Sequence, residues 1–159
     1  MLYSKTCEYA IRAAAYMASK EKSQYTSTVE VNRATGIPGP YLAKVFGVLV
    51  KKSLLKAKQG PGGGVAFTRE PKEISLLDVI AAVETTDLVI KQCVMGLSEC
   101  NAKHACPMHH EWVELKSRMV SKLAGVSICD VSEKLLSSSF RELKRDRLAS
   151  HVCRTRRET

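Results

Sequence analysis

Three cysteines and one histidine form the most distinctive chemical pattern in this chain. The cysteines follow the spacing Cys93-x6-Cys100-x5-Cys106, and His109 comes three positions after the last of them. Thiolates are the usual ligands of iron–sulfur clusters. Three thiolates on one short loop can surround one face of a cluster, so a fourth ligand must come from elsewhere. The spacing is neither the paired C-x2-C of zinc knuckles nor the C-x2-C-x2-C run of bacterial ferredoxins.

The expected compartment supports a metal or redox role for these thiols. No apolar run approaches the ~20 residues needed to span a bilayer. The Ala-rich N-terminal stretch is amphipathic and is interrupted by Arg12, which argues against a signal peptide. We therefore expect a cytoplasmic protein, in which thiols stay reduced and a cysteine cluster indicates metal binding or redox chemistry rather than disulfides. Structural zinc and a cluster-free thiol switch remain open alternatives. We expect Cys7, Cys129 and Cys153 to be a core thiol, a half-buried thiol and a tail thiol.

The charge balance points to a polyanionic partner. Across 159 residues, 25 Lys and Arg stand against 16 Asp and Glu, which gives a net charge of +9 and a pI near 9.4. Such a surplus is typical of chains that bind nucleic acid or anionic lipid. Apolar residues make up 45% of the chain, enough for a core and against global disorder.

A helix-turn-helix pattern follows a predicted N-terminal helix over residues 3–19. Ser27 and Glu30 have the spacing of a capping box, and the short helix that they begin ends at Gly36. A second helix can start with Pro40 in its first turn, where a missing N–H is harmless. Its apolar positions are predicted at Tyr41, Leu42, Val45, Phe46, Leu49 and Val50.

A β-hairpin is predicted immediately after this helix. Residues 54–58 and 65–68 are short strand candidates, and the segment between them reads Gln59-Gly60-Pro61-Gly62-Gly63-Gly64. A hairpin in this place is a wing, so the pattern predicts a winged helix-turn-helix.

These elements can present cations and backbone N–H groups to DNA, whose major groove is wide enough for one helix. Lys44 suits a phosphate or a guanine edge, and Tyr41 can reach a phosphate with its hydroxyl. Lys56 and Lys58 flank a tip without side chains, where backbone N–H groups can approach phosphate closely. The predicted DNA-binding residues are Thr28, Pro40, Tyr41, Lys44, Lys56, Lys58, Gln59, Gly60, Gly62 and Gly63.

The remaining segments complete a mainly α fold with a small β wing. Ser75 and Asp78 begin a helix over residues 76–84, a long helix runs from Pro107 or His109 to Leu123, and a short helix spans 128–136. The wide apolar face of the long helix suits pairing within the core or across a dimer. We divide the chain into a DNA-binding domain (1–84), a cysteine cluster-binding loop (85–109), a dimerisation helix with a following short helix (110–136) and a basic tail that begins with a Ser-rich linker (137–159).

The motifs together resemble the Rrf2 (Rrf, type two) family of bacterial winged-helix regulators over residues 1 to about 136. The matching motifs are Leu2-Tyr3-Ser4-Lys5, Glu8-Tyr9-Ala10 with Arg12, Gly36-Ile37 followed by Tyr41-Leu42, Gly60-Pro61-Gly62-Gly63-Gly64, and Ile74-Ser75-Leu76 leading to Val79-Ile80. The resemblance implies a homodimeric repressor or activator, and many members carry an iron–sulfur cluster.

The resemblance also suggests two candidates for the fourth ligand. A Cys-x-x-His-x-x-Trp spacing like that of His109 occurs in the branch that regulates cluster assembly. Glu8 stands where the branch that senses nitric oxide uses a carboxylate of the partner subunit. The chain departs from the family at Gln59, where members often have an arginine that can enter the minor groove, and in the basic tail.

We therefore predict a dimeric DNA-binding repressor whose DNA affinity is switched by an iron–sulfur cluster that senses redox stress, nitric oxide or iron–sulfur status. The alternative is a winged-helix regulator with a zinc site or a cluster-free thiol switch. The expected cofactor is an iron–sulfur cluster, with [2Fe-2S] preferred over [4Fe-4S], and the expected partners are double-stranded DNA and a second copy, with no membrane. The sequence contains no nucleophile–base constellation, P-loop or dinucleotide motif, so we do not expect an enzyme.

Overall fold

The computed structural model describes residues 3–20, 25–84 and 92–137. These residues form six α-helices and one two-stranded antiparallel sheet. In chain order the elements are α1 (Lys5–Ala18), α2 (Thr28–Thr35), α3 (Gly39–Lys51), β1 (Leu55–Lys58), β2 (Gly64–Phe67), α4 (Leu76–Val83), α5 (His109–Ala124) and α6 (Ile128–Ser137). The predicted fold class, mainly α with a small β wing, is confirmed.

Local capping chemistry sets the bounds of the helix-turn-helix. The Ser27 hydroxyl accepts from the backbone N–H of Glu30 and so caps α2, while Gly36 ends that helix in the left-handed region at φ 70°. The carboxylate of Glu30 does not make the predicted bond back to the backbone N–H of Ser27. This carboxylate instead accepts from the hydroxyl of Tyr16 at 3.1 Å and pairs with the ammonium group of Lys20 at 2.7 Å. These contacts fix α2 against the end of α1.

The wing is tied to the chain that enters α2. Strand β1 pairs with β2 from Leu55 opposite Phe67 to Lys58 opposite Gly64. Thr26 adds an antiparallel bridge on the other side of β2, with two backbone hydrogen bonds to Val65 of 2.9 and 3.0 Å. The hairpin and the helix-turn-helix are therefore joined by backbone bonds.

Two serine caps lie side by side at the starts of α4 and α6. Ser75 and Asp78 form a complete capping box on α4, and Ser127 and Asp130 make the same reciprocal bonds on α6. The two segments pair as short extended strands through backbone bonds from Leu76 to Val126 and from Ile128 to Ile74, each 2.8 Å long. This pairing places α6 beside α4 although more than forty residues separate them in sequence.

Helix α1 lies at the centre of the core, where it contacts α2, α3, α4 and α6. Its small side chains allow this close approach, since four alanines of α1 belong to the core cluster. The largest fully buried side chains around it come from the neighbouring elements and are Ile37, Leu42, Leu49, Leu55, Ile74 and Ile128. Cys7 is buried on α1, as predicted for a core thiol.

Some boundaries differ from those predicted. Ser137 is the last residue of α6, because the helix continues one residue past 136, so the Ser-rich linker does not begin there. The remaining linker residues and the basic tail lie outside the described residues, as does the predicted tail thiol Cys153. Cys129 is half-buried, as predicted, but it is disulfide-bonded, so its prediction as a free thiol is wrong. Within 3–20, 25–84 and 92–137, no helix has the length and apolar character needed to cross a membrane.

Candidate nucleic-acid interface and cysteine site

Helix α3 buries one face and presents the other to solvent. Leu42, Val45, Phe46 and Leu49 are buried in the core, whereas the predicted contact residues Pro40, Tyr41 and Lys44 are exposed. Tyr41 is 52% exposed and does not belong to the buried face that the sequence pattern assigned to it. Its ring packs edge-on against Tyr9 of α1, with centroids 5.6 Å apart.

The wing brings its predicted contact residues to one exposed edge. Lys56, Lys58, Gln59, Gly60 and Gly62 are exposed, and Gly63 is half-buried. The ammonium group of Lys58 lies 5.8 Å from the ring centroid of Tyr25, in the segment before α2. Sequence reasoning missed Tyr25, because nothing in its own neighbourhood signals a contact with a strand more than thirty residues away.

Thr28, the remaining predicted DNA contact, is half-buried at the first position of α2. Helix N-termini offer backbone N–H groups to anions, which is consistent with a phosphate contact there. Exposed cations, the exposed Tyr41 and a glycine-rich tip therefore lie on the elements that a winged helix uses to bind DNA.

The cysteine segment folds irregularly before α5, as predicted, apart from a short 3₁₀ turn over Ala102–His104. Cys93 and Cys106 are buried and Cys100 is half-buried. The Sγ atom of Cys100 lies 3.6 Å from Nδ1 of His109, the buried first residue of α5. The thiols of Cys93 and Cys106 lie close enough to each other to influence each other's ionisation. The four residues thus fall into two pairs, of which Cys100 and His109 are in direct contact.

The pKa values of the Cys93 and Cys106 thiols are shifted in opposite directions. Burial opposes ionisation of Cys93, yet the pKa of its thiol is lowered by the backbone N–H groups of Met95 and Leu97 and by its interaction with Cys106. Burial raises the pKa of the Cys106 thiol, and the bond to Cys93 raises it further. Of this pair, Cys93 is the thiol favoured as a thiolate.

The donor types fit an iron–sulfur cluster, but the arrangement is not a closed cage. Three thiols and one imidazole meet in two pairs on one loop and one helix start, which is the donor chemistry that such clusters use. Among the described ranges, no three His, Cys, Asp or Glu side chains are arranged as a group that could hold a metal ion. Closure around a metal would require the two pairs to approach each other.

Glu8 is not brought to the cysteines within one chain. Its carboxylate accepts from the ammonium group of Lys5 at 2.6 Å and pairs with the guanidinium of Arg12 at 3.6 Å. The hydrogen bond from Lys5 and the two positive charges lower the pKa of Glu8. Arg12 also donates to the backbone carbonyl of Thr35 at 2.6 Å. The predicted pairing of Glu8 with Arg12 is present. Through its bond to Thr35, Arg12 also connects this pair with the end of α2.

Two side chains that sequence reasoning did not single out as site residues contact the start of the cysteine segment. The indole N–H of Trp112 and the ammonium group of Lys116 both donate to the backbone carbonyl of Gln92, at 2.9 and 3.4 Å. Gln92 immediately precedes Cys93. The i, i+4 spacing of Trp112 and Lys116 puts them on one face of α5, but nothing in the sequence indicates which backbone group that face meets.

Several apolar side chains of α5 and of the cysteine segment remain exposed in the single chain. Val113 and Leu115 are 43% and 57% exposed, and nearby in the cysteine segment Val94, Met95 and Leu97 are also exposed. Only His109 and Lys116 of α5 are buried. The apolar positions predicted for this helix therefore do not all serve the core of one chain.

Comparisons with known proteins agree with this geometry. A family model described as Rrf2, iron-dependent transcriptional regulator, matches residues 3–134. The HTH-type transcriptional regulator IscR of Aliivibrio salmonicida (strain LFI1238) is 31% identical over 120 residues, which cover 76% of this chain and 70% of that protein. Two solved structures share the fold. CymR, the global cysteine regulator of B. subtilis, has a TM-score of 0.68 at 20% identity, covering 82% of this chain and 95% of that one. IscR of T. potens has a TM-score of 0.66 at 21% identity, covering 91% of each chain.

Proposed function

We propose, from the premise that this chain belongs to the Rrf2 family of transcriptional regulators, that it is a homodimeric DNA-binding repressor controlled by an iron–sulfur cluster on Cys93, Cys100 and Cys106. The family match covers most of the chain, and the helix-turn-helix and wing supply the DNA-binding elements. Regulation of transcription rather than catalysis is the family's role. The cluster, its control of DNA affinity and the dimer are our own proposals.

The observation that carries the cluster proposal is the convergence of the cysteine segment on the first turn of α5. Cys100 contacts His109 there, and Cys93 and Cys106 lie close enough to influence each other's ionisation. Three thiols would supply the iron ligands, and His109 would supply the fourth. A bound cluster brings redox chemistry and sensitivity to oxidants, nitric oxide or iron shortage. A [2Fe-2S] cluster is preferred over [4Fe-4S].

His109 is the better supported of the two candidates for the fourth ligand. Its ring is buried beside a predicted ligand in the same chain. Glu8 is instead held by Lys5 and Arg12, so it could serve only if a second copy brought it to the cysteines. A histidine or carboxylate is exchanged more easily than a thiolate, and a labile fourth ligand suits a sensor.

The exposed apolar side chains of α5 support the homodimer proposal. Leu115 loses its contact with water if its side of α5 packs against α5 of a second copy, which is favourable by about 25 cal/mol per Å² of apolar area buried. In this assembly a shift of the cysteine segment changes how two helix-turn-helix units are spaced. Both recognition helices must enter successive major grooves, about 34 Å apart, so a small change in spacing alters affinity.

Spectroscopy and DNA binding on anaerobically purified protein test the proposal. We expect a brown protein with visible absorption, with iron and acid-labile sulfide present in equal amounts. Single replacements of Cys93, Cys100 or Cys106 by alanine should abolish that absorption and change affinity for the chain's own promoter region. Cys7→Ala is the matched control, because Cys7 is buried in the core on α1. Wild-type DNA binding by the triple-cysteine variant under every redox condition would exclude the cysteines as the sensor.

A cluster-free thiol switch is the second candidate, and the proximity of the Cys93 and Cys106 thiols, which influence each other's ionisation, favours it. Two neighbouring thiols can form a disulfide when an oxidant such as a peroxide accepts two electrons and two protons. This candidate predicts a colourless protein without sulfide, in which oxidation changes DNA affinity. A zinc site would also be colourless but would contain stoichiometric zinc.

A further inference from the structure

Lys116 occupies an unusual place for a lysine. It lies in the middle of α5 and is 7% exposed, and no other Lys, Arg, Asp or Glu of residues 3–20, 25–84 and 92–135 is buried to this extent. Burial of an ammonium group costs several kcal/mol unless hydrogen bonds and opposite charge compensate it. A lysine is therefore kept in such a position when something beside it stabilises its charge.

Hydrogen bonding and an aromatic ring supply part of this compensation. The ammonium group donates to the carbonyl of Gln92 at 3.4 Å, and it lies 5.8 Å from the ring centroid of Trp112. Trp112 donates to the same carbonyl at 2.9 Å. Two donors one turn apart on α5 thus converge on one backbone oxygen.

The location of that oxygen connects Lys116 with the cysteine site. Gln92 is joined by a peptide bond to Cys93, whose side chain is also buried. The ammonium group of Lys116 therefore reaches the backbone of the residue directly before Cys93, which brings its positive charge near that thiol.

We propose that Lys116 is a positioning residue of the cysteine site: together with Trp112 it anchors the carbonyl of Gln92, and its buried charge stabilises negative charge at Cys93. The charge effect deepens the cluster function proposed above and depends on it, whereas the anchor does not. Thiolate-ligated clusters carry net negative charge, and reduction adds another electron. A nearby buried cation stabilises the reduced state more than the oxidised one, so it raises the reduction potential.

Variants that separate charge from volume test the electrostatic effect. Lys116→Met keeps the length of the side chain and removes its charge, while Lys116→Arg keeps the charge. Lys122→Met is the matched control, because Lys122 is an exposed cation on the same helix. Anaerobic redox titration of the cluster-loaded proteins, followed by visible absorption, should give a more negative midpoint for Lys116→Met than for the other two and the wild type. Equal midpoints for Lys116→Met and Lys122→Met would overturn the electrostatic effect.

The anchor is tested in the metal-free protein. Trp112 is the only tryptophan of the chain, so intrinsic fluorescence reports on this residue alone. Quenching by acrylamide should increase in metal-free Lys116→Met and remain at the wild-type level in Lys122→Met. Unchanged quenching in Lys116→Met would overturn the anchor.

These two measurements also separate this inference from the function on which it partly rests. Absence of iron and sulfide from the anaerobic wild-type protein would refute the cluster and, with it, the effect on potential, while the quenching result still decides the anchor. If Lys116→Met loses its helical circular dichroism signal, Lys116→Gln takes its place, since it is also uncharged but retains a donor. The same negative shift of the midpoint is expected for Lys116→Gln, and its absence would refute the charge effect.

Discussion

Replacement of Gly64 by alanine tests whether the wing and the entry to the helix-turn-helix act as one unit. A Cβ atom at this position would lie 2.3 Å from the carbonyl oxygen of Thr26 and 2.6 Å from its carbonyl carbon. Both atoms belong to the backbone, so they cannot move aside as the end of a flexible side chain would. The φ angle of Gly64, 145°, is also one that residues with a side chain rarely adopt.

The expected cost follows from these contacts. Separation of the two segments breaks the two hydrogen bonds between Thr26 and Val65, which contribute about 0.5–1.5 kcal/mol each. An unfavourable φ adds about 1–3 kcal/mol where it is retained. Because separation relieves part of that strain, we expect the free energy of unfolding to fall by about 2–4 kcal/mol. At about 2–4 °C per kcal/mol for a chain of this size, the Tm should fall by roughly 5–15 °C.

Thermal unfolding by circular dichroism measures this effect, with Gly47→Ala as the control. Gly47 lies within α3, and a Cβ there would meet nothing within 4 Å. Alanine should therefore raise stability at position 47 by up to about 1 kcal/mol, because it favours the helix. Below its Tm, Gly64→Ala should bind the promoter more weakly than the wild type, since the wing is no longer fixed to α2. A Tm for Gly64→Ala at or above that of the wild type would refute this account of the wing.

Four further outcomes follow from the positions of exposed and paired side chains. Lys44→Ala should weaken specific promoter binding by about 1–3 kcal/mol in a mobility-shift titration, because Lys44 is an exposed cation on α3; unchanged affinity would remove α3 from the interface. Gln59→Arg should tighten binding at A/T-rich flanks and steepen its salt dependence, since a positive charge is drawn into a narrow minor groove; an unchanged salt slope would argue against a wing contact there. Leu115→Glu should give a monomer in light scattering, because it replaces an exposed apolar side chain of α5 with a charged one; a stable dimer would place the interface elsewhere. Of His109→Ala and Glu8→Ala, we expect the first to shorten the lifetime of the visible absorption more, and the reverse order would make Glu8 the fourth ligand.

The elements of this fold were predictable because their signals are local. Ser27 and Ser75 cap helices through bonds to residues three positions ahead, and Gly36 ends a helix by its own backbone freedom. The glycine-rich run between two short apolar segments indicates the hairpin in the same way. The chemistry of the candidate site was local too, since Cys93, Cys100, Cys106 and His109 lie close together in sequence.

The sequence did not predict which neighbour a side chain contacts where several neighbours were chemically equivalent. Glu30 has the right spacing to complete the box begun by Ser27, yet its carboxylate bonds to Tyr16 and Lys20, which packing brings within reach. Tyr41 suits a buried face by periodicity, yet it lies exposed against Tyr9. In both cases a contact between different helices replaces the arrangement that local spacing favours.

By itself, then, the sequence determined which segments become helices and wing, and which residues could bind DNA or metal. Hydrogen bonds and apolar periodicity over three or four positions encode those features. Only the tertiary structure decided that Cys100 meets His109, and that Lys116 is buried beside a carbonyl 24 positions earlier in the chain. Such contacts depend on how whole helices pack, and packing is set by the combined shape and burial of many side chains rather than by any one spacing.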